Sequence, residues 1–225
     1  MEEQAGEERL RRDAVSFPCG ALTLKGVCCS PDGDGVFPAI VLCHPHPLYG
    51  GSMDNNVIVA VASALVGSSV IALMFNFRGV GGSEGGFGGG ITEQEDVVAA
   101  ISWLVCQPEV DAGRLGLLGY SFGASVALPV ACDDERVKAM ALVSPPLEPP
   151  QISRLKDCAK PKLIMCGADD FVVPRHRAEL IGQEAADPKQ FELISGVDHF
   201  WWGHEVAVAR QVAAFFGGVF RTVGA

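Results

Sequence analysis

The sequence predicts a single α/β domain, a doubly wound and mostly parallel sheet that begins with antiparallel strands. Three observations carry this. Short, continuous apolar runs recur along the chain, among them Ala39–Cys43, Val70–Phe75 and Leu115–Leu118, as strands buried on both faces require. Stretches of helical character separate them. Ahead of both, Val15–Pro18 and Ala21–Cys29 read as two early strands close enough to form a hairpin. With 225 residues, 48% of them hydrophobic, the chain can bury one sizeable core.

Taken in order, residues 1–13 are densely charged and read as a solvated tail, leaving 14–221 as one domain. Pro31–Gly35 is a loop by composition. A helix is expected over 54–66, a strand over 70–77, a helix over 93–106 and a strand over 115–118. The helix that follows, 122–132, contains Pro129 and should be kinked or short. Strands are expected at 138–143, 162–166 and 190–194. Between the last two, a helix over 174–186 should carry Pro174 at its first position. A closing helix over 203–216 should stop at Gly217-Gly218. The proline-rich segment from Ser144 to Lys160 has room for a small helix near 151–157 but not for a lid, so any cleft should be open and shallow.

Composition excludes several classes. A net charge of −10 and no basic stripe argue against a nucleic-acid partner and against anionic membranes. Val57–Phe75 is apolar enough to pass for a membrane span, but Gly67-Ser68-Ser69 breaks it into a buried helix and a buried strand. The eight cysteines show no metal-type spacing, and several lie in apolar runs. Free thiols in a reducing compartment are the expectation, and with no apolar leader at the N-terminus a cytoplasmic location follows. Cys28 and Cys29, adjacent in a strand, should point to opposite faces.

The chemistry concentrates at Gly119-Tyr120-Ser121-Phe122-Gly123, a G-x-S-x-G pentapeptide between an apolar strand and a helix of small residues. The tight turn should lift the Ser121 hydroxyl clear of the sheet and leave the Phe122 amide at a helix N-terminus, where it can donate to an oxyanion. Serine needs a base, and the base an orienting acid. In doubly wound sheets functional groups gather at the carboxyl ends of strands. The strand at 190–194 is followed by Asp198-His199, so His199 is the base, with His204 in reserve and His176 expected on the surface. The strand at 162–166 is followed by Asp169-Asp170. Asp170 is preferred, because Val172-Val173-Pro174 puts it at the turn before a helix, while Asp169 can cap that turn.

A second oxyanion donor should come from the loop His44–Gly51, where Pro45 and Pro47 have no N–H. The His46 amide is the choice and Leu48 the alternative. The His44 imidazole is read as scaffold, and a zinc pair with His46 lacks a third ligand. Gly79–Gly90 fits no phosphate-binding pattern and reads as a flexible loop near the cleft. Thr92-x-x-Glu95 looks like a capping box. Arg78 is read as an ion-pair partner rather than a substrate clamp. Phe171, Phe200, Trp201 and Trp202 either line a pocket or pack the closing helix.

HPHPLYGGSMDN (44–55), FNFRGVGGSEGGF (75–87), LGYSFGASVA (118–127), GADDFVVP (167–174) and GVDHFWWG (196–203) together resemble the α/β-hydrolases. They are most similar to a small lidless bacterial subgroup near the dienelactone hydrolases and dipeptidyl-peptidase-like hydrolases. The resemblance implies an α/β-hydrolase fold without a lid, a Ser121–Asp170–His199 triad and no cofactor, and the residue spacing offers no metal site. Dienelactone hydrolases carry cysteine where this chain has Ser121, and the subgroup tends to carry aspartate at Gly88, which implies a looser loop here. The expected activity is hydrolysis of a small-molecule carboxylic ester, of short to medium acyl chain, or of a thioester, through an acyl-enzyme. A serine peptidase or amidase, or a non-catalytic ligand-binding protein of the same fold, are the alternatives. Oligomeric state is not legible.

Overall fold

A computed structural model describes residues 11–223. The chain enters as a hairpin, β1 (Arg11–Cys19) and β2 (Leu22–Ser30), turning at Gly20. Arg11–Asp13 therefore belong to a strand rather than to the expected tail, since β1 pairs with β2 along its whole length. The rest of that tail, residues 1–10, lies outside the described residues. Then come β3 (Phe37–Cys43), α1 (Asn56–Val66), β4 (Ile71–Phe75), α2 (Glu93–Leu104), β5 (Val110–Tyr120), α3 (Phe122–Asp133) and β6 (Val137–Val143). The chain finishes with α4 (Pro149–Asp157), β7 (Lys162–Gly167), α5 (Arg175–Glu184), β8 (Lys189–Ile194) and α6 (Glu205–Val223).

The eight strands form one sheet in the order β1-β2-β4-β3-β5-β6-β7-β8, antiparallel from β1 to β4 and parallel thereafter. The predicted class holds, including the antiparallel start. The apolar runs β3, β4 and β6 sit in the middle of the sheet, covered on both faces. Residues of α2, α3, α4 and α5 share one core with one face, and residues of α1 and α6 share a second core with the other. Cys28 belongs to the first core and Cys29 to the second, as the two-residue period of a strand demands. All eight cysteines are free. Val57–Phe75 divides into α1 and β4 as expected, and among the described residues no helix is long and apolar enough to cross a membrane.

Three local expectations are corrected. The closing helix does not stop at Gly217-Gly218 but runs on to Val223. Phe216 and Phe220, one turn apart, are both buried against the sheet, and burying a phenylalanine at ~1.5–3 kcal/mol outweighs about 1 kcal/mol for each helical glycine. Pro174 is the N-cap of α5, not its first residue. Thr92 makes no side-chain capping bond; Glu95 instead pairs with Arg78 at 2.9 Å.

α3 keeps its full twelve residues despite Pro129. The missing proline N–H leaves the Ser125 carbonyl free, and Gln151 on α4 donates to it from Nε2 at 2.9 Å. The short helix between β6 and β7 thus replaces the lost backbone bond. Nothing larger is inserted there, so the carboxyl end of the sheet is left without a lid.

Candidate active site

The site is built where β5 passes into α3. Ser121 has φ 54° and ψ −121°, a conformation that L-residues rarely adopt. It is held there by tertiary bonds, for its N–H donates to the Val143 carbonyl of β6 at 2.9 Å and its carbonyl accepts from Ala124 N at 2.9 Å. The two glycines of the motif are needed for close approach. A Cβ on Gly119 would lie 2.4 Å from the Ala124 Cα, and one on Gly123 would lie 2.1 Å from the Cys43 carbonyl oxygen. No side chain fits in either place, so β3 and α3 can close around the turn only with glycine.

The loop after β8 brings His199 to this serine, and the loop after β7 brings Asp170 to the histidine. Ser121 Oγ is 2.9 Å from His199 Nε2. His199 Nδ1 lies 2.8 Å from Asp170 Oδ2 and 3.0 Å from Oδ1. Asp170 Oδ1 also accepts the Val172 and Val173 amides, each at 2.8 Å, so the carboxylate is fixed by its own turn. A carboxylate partner on Nδ1 selects the tautomer whose Nε2 lone pair faces the serine. All three side chains are buried. Burial alone would raise the Asp170 pKa, but the bonds from His199 and the Val173 amide, the His199 ring nearby and the Ser144 hydroxyl hold it below the usual carboxylate range. Tyr120, beside the serine, donates its hydroxyl to the His199 carbonyl at 2.6 Å, so strand and loop are tied directly.

The competing residues stand elsewhere. Asp169 is exposed, and Asp198 accepts from the Phe200 amide at 2.9 Å rather than serving the histidine. His176 is exposed on α5, and His204 lies just ahead of α6. His44 is fully buried, its Nδ1 2.7 Å from the Pro45 carbonyl and its Nε2 accepting from Phe77 N at 3.1 Å, which makes it scaffold.

His46 N-caps a 3₁₀ turn at Pro47–Tyr49. Its Nδ1 accepts from Leu48 N at 3.2 Å, so the Leu48 amide is already engaged. Among the described residues the His46 and Phe122 amides have no acceptor, and both residues line the same cleft as Ser121. The cleft has a volume of about 920 Å³, within the range of small-molecule sites. Tyr49, Phe87 and Phe122 stand around the His46 ring, and Phe171 and Phe200 pack against the His199 ring. Trp202 is exposed and Trp201 is buried against the α1–α6 core, so the aromatic residues divide between pocket and packing.

Arg78 is buried in an ion pair with Asp96, Nη2 to Oδ1 2.7 Å, and does not face the cleft wall. The glycine-rich loop is not loose. Buried Glu93 accepts the Gly88 and Gly90 amides at 2.6 and 2.8 Å, and a Cβ on Gly88 would fall 1.8 Å from Thr92 Oγ1. In this chain the carboxylate that orders the loop comes from the helix, which leaves no space for one at 88. Glu93 is the site-supporting residue that sequence reasoning missed; an acidic residue in the first turn after a run of glycines was its signal.

A lidless α/β sheet with this elbow is the architecture of a serine hydrolase. The chain belongs to the X-Pro dipeptidyl-peptidase (S15) family, whose model matches residues 22–179. An uncharacterized protein of Rickettsia prowazekii is 34% identical over 172 residues, covering 73% of this chain and 72% of the relative. Among solved structures, an α/β serine hydrolase homologue from Coxiella burnetii is 32% identical with a TM-score of 0.80, over 91% of this chain and 96% of the other. A serine hydrolase without a lid from Xanthomonas campestris is 27% identical with a TM-score of 0.78, over 96% of both chains.

Proposed function

We propose that the protein hydrolyses uncharged carboxylic esters of short to medium acyl chain, and thioesters of the same kind, through an acyl-enzyme on Ser121. The observation that carries this is the continuous run of contacts from Ser121 Oγ to His199 Nε2 and from Nδ1 to Asp170. His199 takes the serine proton as Oγ adds to the carbonyl carbon. The negative charge that forms on the carbonyl oxygen is received by the His46 and Phe122 amides, a donor of this type being worth ~3 kcal/mol in the transition state. The tetrahedral adduct collapses, His199 protonates the departing alkoxide or thiolate, and the alcohol or thiol leaves. Water then adds to the acyl-enzyme by the same route, returning the proton to Ser121. Asp170 stays ionised throughout and stabilises the imidazolium.

The lining of the cleft supports a neutral substrate. It contains no lysine or arginine, and its one acid, Glu148, is exposed and occupied in capping α4. A carboxylate beside the scissile bond would find no cation. A free N-terminal ammonium would find no buried anion, as an aminopeptidase wants. The S15 family match is what favours the peptidase reading, and the same experiment separates the two.

Wild type and Ser121→Ala are treated with a fluorophosphonate probe and weighed intact. One adduct on the wild type and none on the variant is expected, with kcat falling roughly 10³-fold or more for the variant. The wild type should then cleave a soluble p-nitrophenyl ester and its thioester analogue well ahead of a free-amino X-Pro anilide. Faster turnover of the anilide would make it a peptidase. No adduct on folded wild type would make it a binding protein.

A further inference from the structure

Phe171 and Phe200 have no part in the reaction sketched above, yet they stand beside its base. Each directly follows a residue of the triad, Phe171 after Asp170 and Phe200 after His199. Phe171 sits in the turn that the Val172 and Val173 amides close on Asp170 Oδ1. Phe200 is held at both ends of its backbone. Its N–H donates to Asp198 Oδ1 at 2.9 Å, and its carbonyl accepts from Asn56 Nδ2 at 3.3 Å. The loops that carry the acid and the base therefore carry these two rings as well.

The rings meet each other and the histidine. Their centroids are 5.7 Å apart, and they lie 6.3 and 5.9 Å from that of the His199 ring. These separations fall within the ~4.5–7 Å at which aromatic rings pack. Tyr120, at 5.8 Å, is also near His199, but it is buried and its hydroxyl is engaged by the His199 carbonyl. Phe171 and Phe200 are instead 65% and 46% exposed, and both line the cleft. Two large rings left in water beside a buried triad are apolar surface that the core does not use.

Acyl transfer decides which part of an ester reaches them. The proton that His199 takes from Ser121 is returned to the leaving oxygen or sulfur, which must come within hydrogen-bond reach of Nε2. The leaving group therefore begins beside the His199 ring. Among the described residues, the exposed aromatic surface bordering that ring is Phe171 and Phe200. We propose that these two phenylalanines form the leaving-group subsite and select esters and thioesters of neutral arylmethyl alcohols and thiols, of which benzyl is the simplest. This rests on the hydrolase reading above. An aryl group one carbon from the leaving oxygen packs on the two rings by the contacts that join them to each other. The leaving group is neutral because no lysine or arginine lines the cleft and the Asp198 carboxylate stands at the Phe200 amide. The exposure of the rings also lets water replace the departed alcohol at the same nitrogen, as deacylation requires.

The test is kcat/KM on benzyl, cyclohexylmethyl and ethyl butyrate and on ethyl octanoate, for the full chain and for Phe171→Ala, Phe200→Ala and Phe171→Leu. The three alcohols differ little in acidity, so leaving-group chemistry does not set their order. Rates are divided by the fraction of protein that a fluorophosphonate labels, which removes misfolded molecules from the comparison. The three butyrates share one acyl-enzyme, so differences among them arise while the alcohol is still present. Wild type should prefer benzyl to ethyl butyrate about tenfold, with cyclohexylmethyl between them. Each alanine variant should lower the benzyl-to-ethyl ratio about three- to tenfold, the scale of one aromatic contact. Phe171→Leu, apolar but without a ring, should lower the benzyl-to-cyclohexylmethyl ratio. The octanoate-to-butyrate ratio, which reads the acyl end, should keep its wild-type value. A shift in that ratio as large as the shift in benzyl-to-ethyl would assign the rings to the acyl chain and overturn the proposal. An unchanged benzyl-to-ethyl ratio in both alanine variants, or a wild type that does not prefer benzyl to cyclohexylmethyl, overturns it too. A wild type that is labelled but cleaves none of the esters overturns the ester reading and this inference with it, and one that is not labelled overturns the hydrolase reading itself.

Discussion

His44 and His199 are both buried histidines near the carboxyl ends of strands, and their hydrogen bonds separate them. His44 spends both ring nitrogens on backbone groups, whereas His199 faces a serine and a carboxylate. Desolvation pushes the His44 pKa down from 6.5 to about 4, despite the bond to the Pro45 carbonyl. The folded state therefore holds His44 neutral while the unfolded chain takes up a proton. Its contribution to stability is complete above about pH 6.5 and is lost as pH falls toward 4. Between pH 7 and pH 5 the loss should be ~2 kcal/mol. Urea midpoints at the two values check this: His44→Gln should show a smaller pH difference than wild type, and an unchanged difference would place the titrating group elsewhere. Sequence reasoning separated these two histidines by their place after strands. It could not show that the Leu48 amide was already taken by His46 Nδ1, a bond made within one short turn.

At the scale of elements, α3 and α4 form a pair whose fit depends on Pro129. The proline leaves a carbonyl without its donor, and Gln151 supplies one while its Oε1 accepts the Glu148 amide at 2.9 Å. Gln151→Leu should cost ~1 kcal/mol of stability. The same change in a Pro129→Ala background should cost less, since alanine restores the N–H that Ser125 needs. Equal costs in the two backgrounds, measured by denaturant unfolding, would show that the glutamine does not act through the proline. The proline was legible as a defect in α3, but its compensation was not, because the donor lies 26 residues away on another helix. The same holds at Gly217-Gly218: local propensity stops the helix, and the buried Phe216 and Phe220 carry it onward.

Across the whole molecule, the antiparallel hairpin, the loop after β4 and α2 are joined by one buried cation. Arg78 contacts Asp96 through Nε at 2.8 Å and Nη2 at 2.7 Å, with Cys19 of β1 at 3.6 Å and Glu95 at 2.9 Å. The carboxylate bond to Asp96 leads the groups that raise the arginine's pKa, so it stays charged in the interior. Asp96→Ala would leave that charge buried with one exposed partner. A loss of ~3–5 kcal/mol is expected. Calorimetry of the variant should show a clear fall in Tm; a Tm within a degree of wild type would mean that Glu95 alone suffices. The network engages Arg78 with carboxylates of α2 and keeps its charge away from the cleft lining.

The sequence by itself determined the class of fold, the order of its elements and the identity of Ser121, Asp170 and His199 as the residues to bring together. Apolar runs, turn residues and a strand–serine–helix motif are local signals, and local signals survive in one dimension. The tertiary structure alone decided which loop amides remain free, that Glu93 orders the glycine-rich loop, that Gln151 repairs α3, and that Trp201 donates to Ser144 from a loop 57 residues away. Each of these is a bond between groups brought together by folding. No short-range pattern encodes such a pairing, because its geometry exists only once the sheet has closed and its loops have converged.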